Sequence, residues 1–435
     1  MTLNPKIMAA VEQLDYRVTV GDVAAKAGLE LQLAERELLA LASDAGGHLQ
    51  VAETGDIAYQ FPPNFRAILR NKYWQIQLEE WWQQIWRILF YLIRISFGIV
   101  LILSIILIFA AIFIIITASS KDSNSSSSSG SRSRSSGGSS FSIWYWPDFW
   151  YIFNPNYGGY SQRRRERGGA KAGKENELNF FEAIFSFLFG DGNPNEDLDD
   201  RRWQMIGAAI RNRGGAVAGE EIAPYLDAPM DDYESYMLPV LTRFNGRPQV
   251  SPDGDIVYQF PELQVTATQE ATFSMGAYLQ EISWRFSQAT GGQITLAAGL
   301  GGLNLVGALI LGSLLTDKAI VAELGGLVAF VGSIYWLLLA YGVAFLSVPL
   351  IRYFWLQWQN SKIEARNQMR QQRATTLNQP DEELQKKLAY AQQFATANVI
   401  TGEDLAYTSE TDLIEQEIEQ SAKLDAEWLR RLEGK

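Results

Sequence analysis

The 435-residue chain is 47% apolar and 12% aromatic, with a formal net charge of −12 and no cysteine; that composition has room for two or three domains and for membrane spans. The missing thiols exclude disulfides, thiolate zinc sites, cysteine nucleophiles and cysteine-ligated iron–sulfur clusters, and a single histidine, His48, excludes a histidine-rich metal site. The acidic balance disfavours nucleic acid as a partner, because such affinity comes mostly from Lys and Arg on phosphates.

Residues 1–65 read as a small α+β module without the apolar core of a cleavable signal peptide. A helix is expected over Pro5–Gln13, an extended stretch over Asp15–Val20, a helix over Gly21–Ala27 closed by Gly28, and a third helix over Glu30–Ser43 ended by Gly46 and Gly47. Two strands, His48–Ala52 and Ile57–Phe61, follow across a turn at Glu53, Thr54 and Gly55. This helix, helix, strand, turn, strand order is that of a winged helix.

Residues 66–118 form an approach rich in Trp, Tyr and Arg (Trp74, Trp81, Trp82, Trp86) that runs into Ile95–Thr117, an uncharged stretch long enough to cross a bilayer. The Ser/Gly stretch 119–140 cannot bury a core and reads as a linker. In 141–190 the aromatic segment FSIWYWPDFWYIF (Phe141–Phe153), a basic run and the apolar Phe180–Phe189 read as interfacial. The cations Arg163, Arg164, Arg165, Arg167, Lys171 and Lys174 are candidate contacts for anionic lipid headgroups.

Residues 191–263 repeat the first module. GDIAYQFP at Gly55–Pro62 returns as GDIVYQFP at Gly254–Pro261, 199 residues later, and the gapless match upstream pairs Val23 with Ile222, Leu39 with Leu238 and Val51 with Val250. Helices are expected near Asp199–Asn212, Gly219–Leu226 and Asp231–Phe244, with strands near Gln249–Ser251 and Ile256–Phe260. A connecting helix is expected in 264–293. Residues 294–351 form a Gly-rich transmembrane hairpin, Ile294–Leu315 and Leu327–Ile351. Its small residues four apart (Ala297 with Gly301, Ala298 with Gly302, Ala308 with Gly312, Gly325 with Ala329) favour close helix packing. Residues 352–435 read as a polar helical tail broken at Pro380 and Gly402, whose last helix, with Ile414, Ile418, Trp428 and Leu432, docks on something.

Most chemical motifs dissolve on inspection. The third helix of a winged helix can enter a DNA major groove, but here it carries Glu35, Arg36 and Glu37 in one copy and Asp231, Asp232, Glu234 and Arg243 in the other; residues 1–62 hold four basic against nine acidic side chains, and residues 201–262 six against nine. Gly168, Gly173 and Lys174 match part of a phosphate-binding loop, yet Glu175 stands where a hydroxyl should reach magnesium. Asp191, Asn193 and Asn195 have the alternate spacing of a calcium loop without its glycine or closing carboxylate, and a helix N-cap explains them as well. Asn304 and Glu323 are the polar residues of the hairpin, expected to bond across it or sit at the interface. Leu38, Leu41, Tyr59, Tyr236, Leu241 and Tyr258 are partner contacts unless they form the cores, which is the simpler reading.

The stretch FFEAIFSFLFGDGNPNEDLDDRRWQMIGAAIRNRGGAVAGEEIAPYLD (Phe180–Asp227), with the aromatic segment and arginine run before it, resembles an uncharacterised membrane-protein family of cyanobacteria and plant chloroplasts. Plant members are sometimes labelled iron–sulfur cluster biosynthesis proteins, a label that a chain without cysteine does not support. The resemblance implies a cyanobacterial thylakoid or plasma membrane and brings no catalytic residues.

The sequence therefore predicts a mixed membrane protein: about three transmembrane helices, two duplicated winged-helix-like modules and a helical tail. The expected role is a non-enzymatic adaptor or assembly factor for a membrane complex, without cofactors, meeting the bilayer and a protein partner or a second copy. The alternatives are a membrane-tethered nucleic-acid-binding regulator and a small transporter or channel subunit. Topology is divided: three plain spans put the modules on opposite sides, whereas the basic residues flanking the spans favour one side, with a return through the aromatic segment.

Overall fold

The computed structural model describes residues 4–72, 74–122, 178–229, 234–267, 276–316, 324–402, 404–412, 414–418, Ser421 and Trp428. Most of the Ser/Gly stretch, the aromatic segment, the basic run with the partial phosphate-loop motif, Asp231, Asp232, Glu323 and Leu432 lie outside these residues. The chain divides into two units, the first built from residues 1–81, 194–283 and 361–435 and the second from residues 82–193 and 284–360.

In the first unit, local chemistry starts and stops each element. Helix α1 (Pro5–Gln13) begins where the Asn4 side chain accepts from the Lys6 amide and Pro5 occupies the first turn. Strand β1 (Arg17–Thr19) leads into α2 (Val20–Ala27) through a capping box in which Thr19 and Asp22 satisfy each other's amides. Helix α2 closes at Gly28 and α3 (Leu31–Ala45) at Gly46, both left-handed, as the sequence predicts. Strands β2 (His48–Ala52) and β3 (Ile57–Gln60) complete an antiparallel sheet in which β3 lies between β1 and β2. Helices α4 (Phe65–Lys72) and α5 (Trp74–Asp122) follow, then α6 (Phe180–Phe189).

The same element order recurs in α7 (Leu198–Asn212), β4 (Ala216–Ala218), α8 (Gly219–Ile222), α9 (Leu238–Phe244), β5 (Arg247–Val250) and β6 (Ile256–Gln259). Pairing matches residue for residue at an offset of 199: Arg17 faces Gln60 as Ala216 faces Gln259, and His48 faces Gln60 as Arg247 faces Gln259. Two of the repeat's helices are shorter than the sequence predicts, because proline cannot supply an interior helix amide. Pro224 turns the end of α8 into a 3-10 turn at Ala223–Tyr225, and Pro239 confines α9 to a start at Leu238, after a 3-10 turn at Ser235–Met237.

Both repeated segments contribute to one hydrophobic core, which runs from Val11, Leu38 and Phe61 to Ile206, Val240 and Phe260. One close approach within it is between α2 and α7, where a Cβ on Gly207 would stand 2.8 Å from the Ala25 Cα. The predicted connecting helix is not formed among the described residues: after β7 (Val265–Thr266), residues 276–290 carry no helix. Instead, side chains bond their backbone. Within the first unit Asn195 pairs with both the amide and carbonyl of Ile282 (2.8 and 2.8 Å), and Asn367 with those of Glu281 (2.9 and 2.8 Å). Amides satisfied in this way have no need of a helical ladder.

In the second unit three helices are long and apolar enough to cross a membrane, by length and composition: Gln84–Ser119 within α5, α10 (Gly291–Leu314), and α12 (Tyr335–Asn378). The predicted span Leu327–Ile351 is broken in two. A short α11 (Gly326–Ser333) ends at Ile334, where the Ser333 hydroxyl donates to the Phe330 carbonyl 2.6 Å away and competes with the helical ladder. Helix α6 was predicted to be interfacial. It places Ile184, Phe187 and Leu188 in an apolar cluster with Leu101, Ala297, Leu300 and Phe345.

The tail belongs to the first unit. After α12 come α13 (Glu382–Gln392), β8 (Asn398–Val399), parallel to β7, and β9 (Leu405–Thr408), which adds a fourth strand beside β2. The substitution Gly207→Val should force α2 and α7 apart and lower stability by about 1–3 kcal/mol, read as a lower urea midpoint of Trp203 fluorescence; an unchanged midpoint would show that the approach is not tight.

Candidate interaction surface

The outward stripe of α3 is Gln32, Glu35, Arg36, Leu39 and Ser43, one continuous helical face. Its counterpart around α9 is Ser235, Leu238, Pro239, Thr242 and Asn245, without a charge. The basic residue of that second helix, Arg243, is committed inward: it donates to the Gly28 carbonyl at 2.8 Å and lies 4.2 Å from the centre of the Trp203 ring. These faces hold one arginine between them and three apolar side chains, of which Leu39 is 51% and Leu238 65% exposed. The residues that sequence reasoning weighed as partner contacts sit elsewhere. Leu38, Leu41, Tyr59, Tyr236 and Tyr258 are buried, and Leu241 packs on the same core.

The distal basic residues are structural, which sequence reading missed. Arg370 is fully buried, with Asp227 and Glu281 (2.8 Å) as its carboxylates and the Leu279 carbonyl at 2.9 Å. Arg366 holds Glu281 from its other side at 2.6 Å, and Arg373 donates to the carbonyls of Ala223, Leu226 and Ala228. Burial alone would raise the Glu281 pKa, but the hydrogen bonds and charges of Arg366 and Arg370 outweigh it and hold the pKa below its ordinary value. Lys387 of α13 reaches Glu220 (2.9 Å) and Glu234. Its burial acts to lower the pKa, and the two carboxylates raise it overall. Spacing of Arg366, Arg370 and Arg373 along one helix face was the available signal; their partners lie 85 residues or more away in sequence.

Asp191 and Asn195 do not build a calcium loop. Asp191 binds Arg94 at 2.8 Å and accepts from Ser186 and the Gln288 amide, while Asn195 is engaged by Ile282. No group of three or more potential metal ligands occurs among the described residues. His48 opens β2 opposite Gln60, half-buried.

Of the small residues of the hairpin, Ala297 and Ala308 are fully buried, Gly301 lies against Phe345 and Gly312 against Tyr335. Ala298 packs partly buried on its cluster. Gly302 and Gly325 have open space where a side chain would stand, and Ala329 is exposed. Asn304 bonds not across the hairpin but to the first apolar helix, accepting from the Ser104 hydroxyl at 2.8 Å. The reason is its helical position, on the same face as Ala297 and Ala308, which are buried with it.

The chain is 38% identical, over 452 aligned residues covering 99% of its length and 82% of the relative's, to an uncharacterised chloroplastic protein of Arabidopsis thaliana. No family model and no solved structure matches it.

Replacing Arg370 with Met leaves Glu281 buried with half its counter-charge, and should cost about 3 kcal/mol at neutral pH. The depressed pKa of Glu281 means that its contribution is complete above the unfolded value of about 4.3 and is lost as pH falls through the folded value below that. Urea stability measured from pH 7 to pH 3 should fall at the acid end in the wild type and fall less in R370M; parallel curves would remove Arg370 from that role.

Proposed function

The chain belongs to the family of the chloroplastic Arabidopsis protein, and we propose that it is a non-enzymatic integral membrane protein that presents two duplicated winged-helix-like modules to a protein partner. In this reading it is an adaptor or assembly factor for a membrane complex, in a thylakoid or plasma membrane. The observation that carries it is the pair of third-helix faces. They expose Leu39 and Leu238 at equivalent positions of the repeat, with one arginine between them, which suits protein better than phosphate. The nucleic-acid alternative loses Arg243 to an internal bond. A transport role loses Asn304, which is fully buried and bonded to Ser104.

Topology follows from the shared core. Two segments that bury one another's apolar residues occupy one compartment, so the chain crosses the bilayer an even number of times between them. One apolar helix, Gln84–Ser119, lies among the described residues of that interval, and α6 at ten residues is too short to span. The remaining residues of that interval, 123–177, lie outside the described residues; by composition the run from Arg163 to Lys174 is a candidate contact for anionic headgroups.

Gentle-detergent purification of the tagged chain should bring down a stoichiometric protein partner, and Leu39→Glu with Leu238→Glu should abolish it while membrane insertion persists. Recovery of the chain alone would sink the adaptor reading. The natural absence of cysteine makes the topology test direct: E53C and D253C should react with a membrane-impermeant maleimide from one side, and T316C from the other. Labelling of E53C and D253C from opposite sides would overturn the single-compartment arrangement.

A further inference from the structure

The two repeated sheets share a register but not an outer edge. Along β2, inward amides serve β3: the Ala52 amide, just beyond the pairing at Val51, donates to the Asp56 carbonyl at 2.8 Å. The alternate residues face outward and receive the tail. The Leu49 amide donates to the Ser409 hydroxyl at 2.9 Å, the Ser409 amide donates to the Leu49 carbonyl at 2.9 Å, and the Glu53 amide donates to the Asp404 carbonyl at 2.8 Å. In the second segment the Ser251 amide donates inward to the Asp255 carbonyl at 2.8 Å, as Ala52 does, so the phase of the strand is unchanged. The outward positions equivalent to Leu49, Val51 and Glu53 are then Pro248, Val250 and Pro252. Two of three outward donors are therefore missing, with no loss to the β5–β6 ladder. The third position is engaged as well: the Tyr390 hydroxyl donates to the Val250 carbonyl at 3.0 Å.

We propose that the outer edge of β2 is a strand-addition site for an extended segment of the type Asp404–Ser409, occupied by the chain's own tail, and that Pro248, Pro252 and Tyr390 close the equivalent edge of the second segment to the same strand. Of these two equivalent edges one is thus an acceptor, and the position of the prolines decides which half of the repeat takes the tail. Prolines on an edge strand block pairing by withholding donors. Because they face outward here, they do so without weakening the sheet they belong to. The inference stands on ladder geometry and does not rest on the adaptor reading.

The test uses the full chain in detergent and a fluorescein-labelled synthetic peptide spanning residues 401–410. Wild type, with one edge filled and the other closed, should show only background binding by anisotropy. P248L/P252E/Y390F should bind one equivalent, at least tenfold above that background, and Tyr407→Pro, which releases the tail strand, should bind one equivalent at β2. A triple variant that melts like wild type and binds nothing, or a wild type that binds as well as the variants, would overturn the proposal. A second arm does not depend on the triple variant folding. In L49P/E53P the amides of residues 404–409 should lose hydrogen-exchange protection at least tenfold; protection equal to wild type would show that outward donors do not hold the tail.

Discussion

A guanidinium with no solvent access must have its carboxylates in place before the chain around it can close, and Arg370 sets that condition for the first unit. Its partners Asp227 and Glu281 come from a stretch of chain more than 80 residues earlier. The other joins are made in the same way. Asp22 and Arg211, 1% and 8% exposed, pair at 2.6 Å across the α2–α7 approach. Arg17 draws together the carbonyls of Ala267 and Ile400, at 2.6 and 2.7 Å. Such pairs add little net stability over apolar side chains of the same size, but a mismatched assembly strands a charge at several kcal/mol. Their effect is therefore on register: Arg17, Asp22 and Arg370 each find partners in a stretch that lies, in sequence, on the other side of apolar helices.

The repeat shows how one register can support two surfaces. Equivalent residues keep equivalent ladder partners through both sheets, so the divergence lies where it does not disturb the ladder: on outward strand positions, and at the helix ends that proline trims. Pro224 and Pro239 shorten α8 and α9 relative to α2 and α3. The shortening leaves room for Glu234, which with Glu220 accepts Lys387 from the tail. The tail thus meets the first segment as a strand and the second as a helix.

Much of this was legible in the letters, and the failures have physical causes. Glycines at 28 and 46 and the repeated octapeptide mark elements whose determinants are local, and the structure has those elements. The long apolar helices were equally plain, since spans are set by length and apolarity. What was not legible depends on partners distant in sequence. Residues 276–290 read as helix because nothing nearby reveals that Asn195 and Asn367 satisfy their backbone. The tail strands are two and four residues long, too short for alternation to register. On the candidate surface, the repeat pointed to the third helices but not to which of their side chains face out: Leu38 and Leu41 are core, while Leu39 is exposed.

The arginines of α12 carry a wider lesson about topology. A count of basic residues near a span is informative when those residues are free to sense the membrane surface, and here they are not. Arg352 is bound to the carbonyls of Ser186 and Phe286, Arg366 and Arg370 to Glu281, and Arg373 to three backbone carbonyls. Their position in the sequence reflects what they must hold. The sidedness of the repeat is better argued from burial: apolar residues of both segments lie in one core, and a bilayer cannot pass through a core whose members touch.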